Sequence, residues 1–89
     1  MYEFIGYRRV DMVAERKTDR DNHGYSAWFT VEEVDPEFKG RSAVKVFFDD
    51  GKFPDFALAL DEGSYKLGDK FLLIFNQKGK LQGYQKLDG

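Results

Sequence analysis

In the run Gly24-Tyr25-Ser26-Ala27-Trp28-Phe29-Thr30-Val31, strand alternation puts Tyr25, Ala27, Phe29 and Val31 on one side and Ser26, Trp28 and Thr30 on the other. The first set reads as core. Trp28 is then a large ring on the polar side, where it covers something, stacks on something or binds a partner. The same alternation through Val44, Val46 and Phe48 leaves Lys45 and Phe47 outward, and Tyr7 and Arg9 are assigned outward in the phase of Asp11 and Val13. Rings interleaved with cations on a sheet suit single-stranded DNA or RNA: bases stack on rings at roughly 1–3 kcal/mol each, while guanidinium and ammonium groups meet phosphates. Tyr7, Tyr25, Trp28 and Phe47 are the stacking candidates. Arg9, Arg16, Lys17, Arg20 and Lys45 are the phosphate candidates, with Lys66, Lys70, Lys78 and Lys80 as a second cationic margin. A function of another class stays open, in which the aromatic face of a structural or protein-interaction barrel forms a homodimer or partner interface.

Other chemistry is poorly served. His23 is the only histidine and there is no cysteine, so neither a nucleophile pair nor a typical zinc site can be assembled, and His23 among Asp21, Asn22 and Gly24 reads as a turn residue. Glu32-Glu33 and Asp49-Asp50 are adjacent carboxylates, which on a strand point to opposite faces and do not share acid and base work. Asp19 and Asp21 lack the ordered run of oxygen ligands that a calcium loop needs, and Gly79 and Gly83 form no phosphate loop. The expectation is a non-enzyme with no metal, cofactor or small-molecule substrate.

Net charge is −2, which argues against indiscriminate polyanion binding. Its distribution is uneven. Residues 46–63 hold Lys52 against Asp49, Asp50, Asp55, Asp61 and Glu62, whereas 64–86 hold five lysines against Asp69 alone. A polyanion is expected to approach the second segment or the Arg-rich first hairpin. The absence of cysteine and of a basic-then-apolar start points to a cytoplasmic protein, and no apolar run approaches the ~20 residues of a membrane span.

The elements that must position these residues are strands. Nine Phe, five Tyr and one Trp in 89 residues favour a mainly β chain, of a size for one domain over 1–89. Strands are predicted at 2–15, 25–34, 43–49, 70–76 and 80–87, with an exposed tip at 16–24 and turns at 35–40, 49–52 and 76–79. Both faces of the first strand are partly apolar, which fits a strong bend at Gly6. Residues 53–63 read equally as a helix from Pro54 to Gly63 or as a strand with Phe56, Leu58 and Leu60 on one side. The strands suggest a small five-stranded antiparallel barrel of the oligonucleotide-binding type, with an SH3-like barrel as competitor.

The order Phe4-Ile-Gly-Tyr-Arg-Arg-Val-Asp11, a polar tip leading into Gly24-Tyr25, Val44-Lys-Val-Phe-Phe48, Leu67-Gly-Asp and Phe75-Asn-Gln-Lys-Gly-Lys80 is similar to small proteins of phages and conjugative elements of Gram-positive bacteria. Those resemble the filamentous-phage single-stranded-DNA-binding proteins. The resemblance implies a homodimer with an oligonucleotide-binding fold and a protruding DNA-contacting hairpin, here 15–25, carrying Arg16, Lys17, Arg20 and Tyr25.

Overall fold

The computed structural model describes residues 1–13, 21–32 and 35–87. Five antiparallel strands and one helix follow in the order β1 Tyr2–Met12, β2 Asn22–Glu32, β3 Arg41–Asp49, α1 Pro54–Glu62, β4 Lys70–Phe75 and β5 Leu81–Leu87. They form one sheet with the spatial order β3-β2-β1-β4-β5. The chain is therefore mainly β, as its aromatic content implies, but the hydrogen-bonded sheet is open, with β3 and β5 as its two edges. Side chains bridge the gap instead: Phe48 of β3 meets Tyr84 of β5 edge to face, centroids 5.4 Å apart.

The helix resolves the ambiguity of 53–63. Pro54 suits the first helical turn, where its missing N–H is not needed. Gly63 stops the helix in the left-handed conformation at φ 77°, its N–H donating to Leu60 O at 3.2 Å while Ser64 N–H donates to Ala59 O at 2.8 Å. At 3.6 residues per turn Phe56 and Leu60 share the buried face and Leu58 points away, whereas a strand would have buried all three.

The core lies between α1 and one face of the sheet. Phe4, Phe29, Phe48, Phe56 and Phe71 are fully buried, with Ala27, Val46, Leu60 and Leu73 between them. Phe56 stacks flat on Phe48 with centroids 3.7 Å apart, and Tyr84 stands perpendicular to both. One helical side chain thus joins the two sheet edges through a common ring cluster.

β1 carries an irregularity that decides which residues share a face. Phe4 pairs with Phe29 and Gly6 with Trp28, so β1 spends one extra residue at this β-bulge and its alternation inverts there. Tyr2 and Phe4 face the core before the bulge. Beyond it Tyr7 stands opposite Ala27 and Arg9 opposite Tyr25, both on the core side, while Gly6, Arg8 and Val10 take the outer face. The expectation that Tyr7 and Arg9 share the face of Trp28 is therefore overturned. Strict alternation from Phe4 would have sent them outward, and one inserted residue reverses them. The bend itself falls where Gly6 marks it.

Gly24 is buried in β2 beneath the Phe47 ring. A Cβ there would stand 2.2 Å from the Phe48 carbonyl oxygen and 2.9 Å from Phe47 Cζ, and backbone in a central ladder cannot retreat. Gly24→Ala is expected to lower stability by about 1–3 kcal/mol, measured by urea unfolding.

Candidate functional site

On the outer face, β2 and β3 carry Trp28 opposite Lys45 and Ser26 opposite Phe47. β1 adds Gly6 opposite Trp28 and Arg8 opposite Ser26. Lys45 Nζ lies 5.5 Å from the centroid of the indole, a cation–π geometry. Phe47 is 36% exposed. Trp28 has no aromatic neighbour among the described residues, whereas the core rings contact one another repeatedly. Arg8 and Lys45 make no ion pair among the described residues. Arg8 is the member of this face that alternation missed. Its signal was the Gly6 bend, which could have been read as a bulge and hence as a change of phase.

Arg9, which is exposed, and Tyr25, which is half-buried, are expected to contact a ligand but are engaged by other side chains of the chain. The Arg9 guanidinium donates to both carboxylate oxygens of Asp50, at 3.0 and 2.6 Å, and to Asp11 at 2.9–3.2 Å. It also lies 5.0 Å from the centroid of the Tyr25 ring. Its hydrogen bonds to Asp50 and then to Asp11 raise its pKa further above the ordinary arginine value, so its charge is permanent and locally neutralised. The Tyr25 hydroxyl donates to Asp61 Oδ1 at 2.7 Å, and this bond raises the phenol pKa. Tyr7 stacks on Phe4 with centroids 5.6 Å apart and meets Tyr25 edge to face, with its own rim still exposed. The group ties the β1–β2 hairpin to the turn after β3 and to the end of α1.

His23 belongs to β2 and not to a turn. It stands opposite Asp11, and its Nδ1 lies 2.9 Å from Asp11 Oδ1. Asp49 and Asp50 are divided as adjacent residues should be: Asp49 Oδ2 accepts from the N–H of Gly51 and Lys52 in the turn, and Asp50 holds Arg9.

The second cationic margin is also split. Lys70 and Arg41 both bind Glu3, lowering the pKa of its carboxyl. Lys80 remains beside a shallow groove between β3 and the β4–β5 hairpin, lined by Lys45, Phe47, Lys52, Phe53 and Phe75 among others. Arg16, Lys17 and Arg20 lie outside the described residues. No helix among the described residues is long and apolar enough to cross a membrane.

No family model matches this chain, and neither a curated protein nor a solved structure matches it.

Asp11 is held down to about 2 by hydrogen bonds from Arg9 and then from His23. A carboxyl whose pKa is depressed by folding stabilises the fold above its unfolded value, and this contribution disappears as pH falls through the folded one. Unfolding free energy measured by urea titration is expected to decline as pH falls from about 4 towards 2. Asp11→Asn is expected to remove part of that slope.

Proposed function

We propose that this protein is a non-catalytic single-stranded nucleic-acid-binding protein that uses the outer face of the β1–β2–β3 sheet. One observation carries the reading. Arg8 and Lys45 stand on the same face as the half-buried ring of Trp28 and the exposed ring of Phe47 with no carboxylate partner among the described residues, while Asp11, Asp50 and Asp61 are engaged on the other side of the sheet. Stacking platforms flanked by free cations are what a strand of bases and phosphates requires. The overall charge of −2 keeps attraction local to this face and suits binding that is weak per phosphate and carried largely by stacking. The proposal keeps Arg16, Lys17 and Arg20 among the phosphate contacts, and Lys52 and Lys80 line the groove beside Phe47.

The finer fold proposed is a barrel of the oligonucleotide-binding type. The strand order, the helix between β3 and β4 and the β3–β5 ring contact support it. The resemblance to phage and conjugative-element proteins supports a homodimer with single-stranded DNA as ligand, and the lack of cysteine supports a cytoplasmic location. A second reading, self-association or protein docking, draws support from Leu72 and Ile74, which are exposed on β4.

The test is anisotropy of a labelled single-stranded oligonucleotide at two salt concentrations, with Trp28 emission recorded in parallel. Saturable binding that weakens with salt and quenches Trp28 is expected, and no binding at low salt overturns the proposal. Trp28→Ala is expected to cost about 1–3 kcal/mol of binding with the melting temperature nearly unchanged. Arg9→Ala is expected to do the opposite, lowering the melting temperature and sparing affinity.

A further inference from the structure

Gly6 sits at the bulge of β1, but neither its φ nor its surroundings require that it lack a side chain. Its φ is not positive, unlike those of Gly40, Gly63, Gly68 and Gly79. A Cβ built on it meets nothing within 4 Å, whereas one on Gly24 would collide with backbone. Glycine in a strand interior weakens the strand, because it loses more chain entropy on folding and brings no side chain to pack. A β-branched residue would be favoured there by the backbone and admitted by the surroundings.

What glycine supplies at this position is empty space, and the register says where. Gly6 stands directly opposite Trp28 on the outer face, where facing Cβ positions in an antiparallel pair are ~4.5–5.5 Å apart. Lys45 flanks the indole from β3, and on the β1 side the position directly opposite is Gly6, where a Cβ would meet nothing within 4 Å. Arg8, two residues along β1 on the same face, makes no ion pair among the described residues. Trp28 itself stacks on no other ring there. The result is an open place walled by an unpartnered indole and flanked by two unneutralised cations, Lys45 and Arg8.

We infer that Gly6 keeps open a stacking slot beside Trp28 for one nucleobase of a bound single strand, with Lys45 and Arg8 meeting the phosphates on either side. The inference rests on the single-strand reading above and adds to it a specific place and a residue that acts by having no side chain. The bulge is what makes the slot. By placing Gly6, and not Ile5, opposite Trp28, it presents the gap to the ring.

The test compares wild type, Gly6→Ala and Gly6→Val, with Gly83→Val as control. Gly83 is equally open and also lacks a positive φ, but it faces Ile74, away from Trp28. The probes are a labelled oligo-deoxythymidine and an abasic strand of the same length. Gly6→Val is expected to bind oligo-deoxythymidine about ten-fold or more weakly than wild type, to lose the Trp28 quench and to keep or raise its melting temperature. The abasic strand is expected to bind wild type and Gly6→Val alike, and Gly83→Val is expected to behave as wild type. If wild type binds and Gly6→Val retains affinity and quench, the slot is overturned while the single-strand reading stands. If Gly6→Ala lowers the melting temperature, the backbone requires glycine and the slot is again overturned. If wild type binds neither probe, the single-strand reading falls first.

Discussion

The stack of Phe56 on Phe48 is the contact on which the rest of the fold depends. An 89-residue chain without disulfides has little core to spare, and here five fully buried phenylalanines supply most of it. Aromatic side chains bury ~150–250 Å² each, which is how so short a chain excludes enough water. Phe56 is the only one of the five contributed by the helix. Through it α1 is pressed onto β3, and through Tyr84, perpendicular to both stacked rings, β5 is held against the same cluster. The sheet is open in its hydrogen bonds and closed in its side chains. Removing the helix would leave the direct Phe48–Tyr84 contact between β3 and β5 without the ring that backs it.

A second constraint is the bulge between Phe4 and Gly6. It lets one strand serve the ring cluster with Tyr2 and Phe4, then turn Tyr7 and Arg9 to the same side further along. That places a guanidinium where it meets Asp11, Asp50 and the Tyr25 ring together. Isolated surface ion pairs contribute little, but a fork-on geometry to one carboxylate, a second carboxylate and a ring below fix the charge in position. The consequence extends to function. Asp11 and Asp50 are engaged by Arg9 on the inner side, while Arg8 and Lys45 on the outer side make no ion pair among the described residues.

The two faces thus divide the polar chemistry of a nearly neutral chain. Charge summed over the sequence conceals this division, because it counts Arg9 and Lys45 alike. In space one is paired with two carboxylates beside a ring, and the other lies beside a half-buried indole with no ion pair among the described residues. Under the proposed function, this face would hold its ligand through planar contact first and Coulomb attraction second, with an affinity that depends moderately on salt.

Period-two alternation alone determined the β class, the facing of β2 and β3, and hence the outward Trp28, Lys45 and Phe47. Side chains on an unbroken strand have nowhere else to point. The turn signals likewise placed all ten strand boundaries within three residues of the observed ones. The helix was legible only as one of two choices, because Phe56, Leu58 and Leu60 satisfy a strand as well as half a helical turn, and the decision came from what Phe56 could stack upon. The positions of Tyr7, Arg9 and Arg8 were decided by tertiary structure alone. A bulge inserts a residue without changing composition, and it is specified by pairing with β2, a neighbour about twenty residues away that no local pattern contains. For the same reason the role of Arg9 was not legible, since Asp50 reaches it only once β3 is folded against the first hairpin.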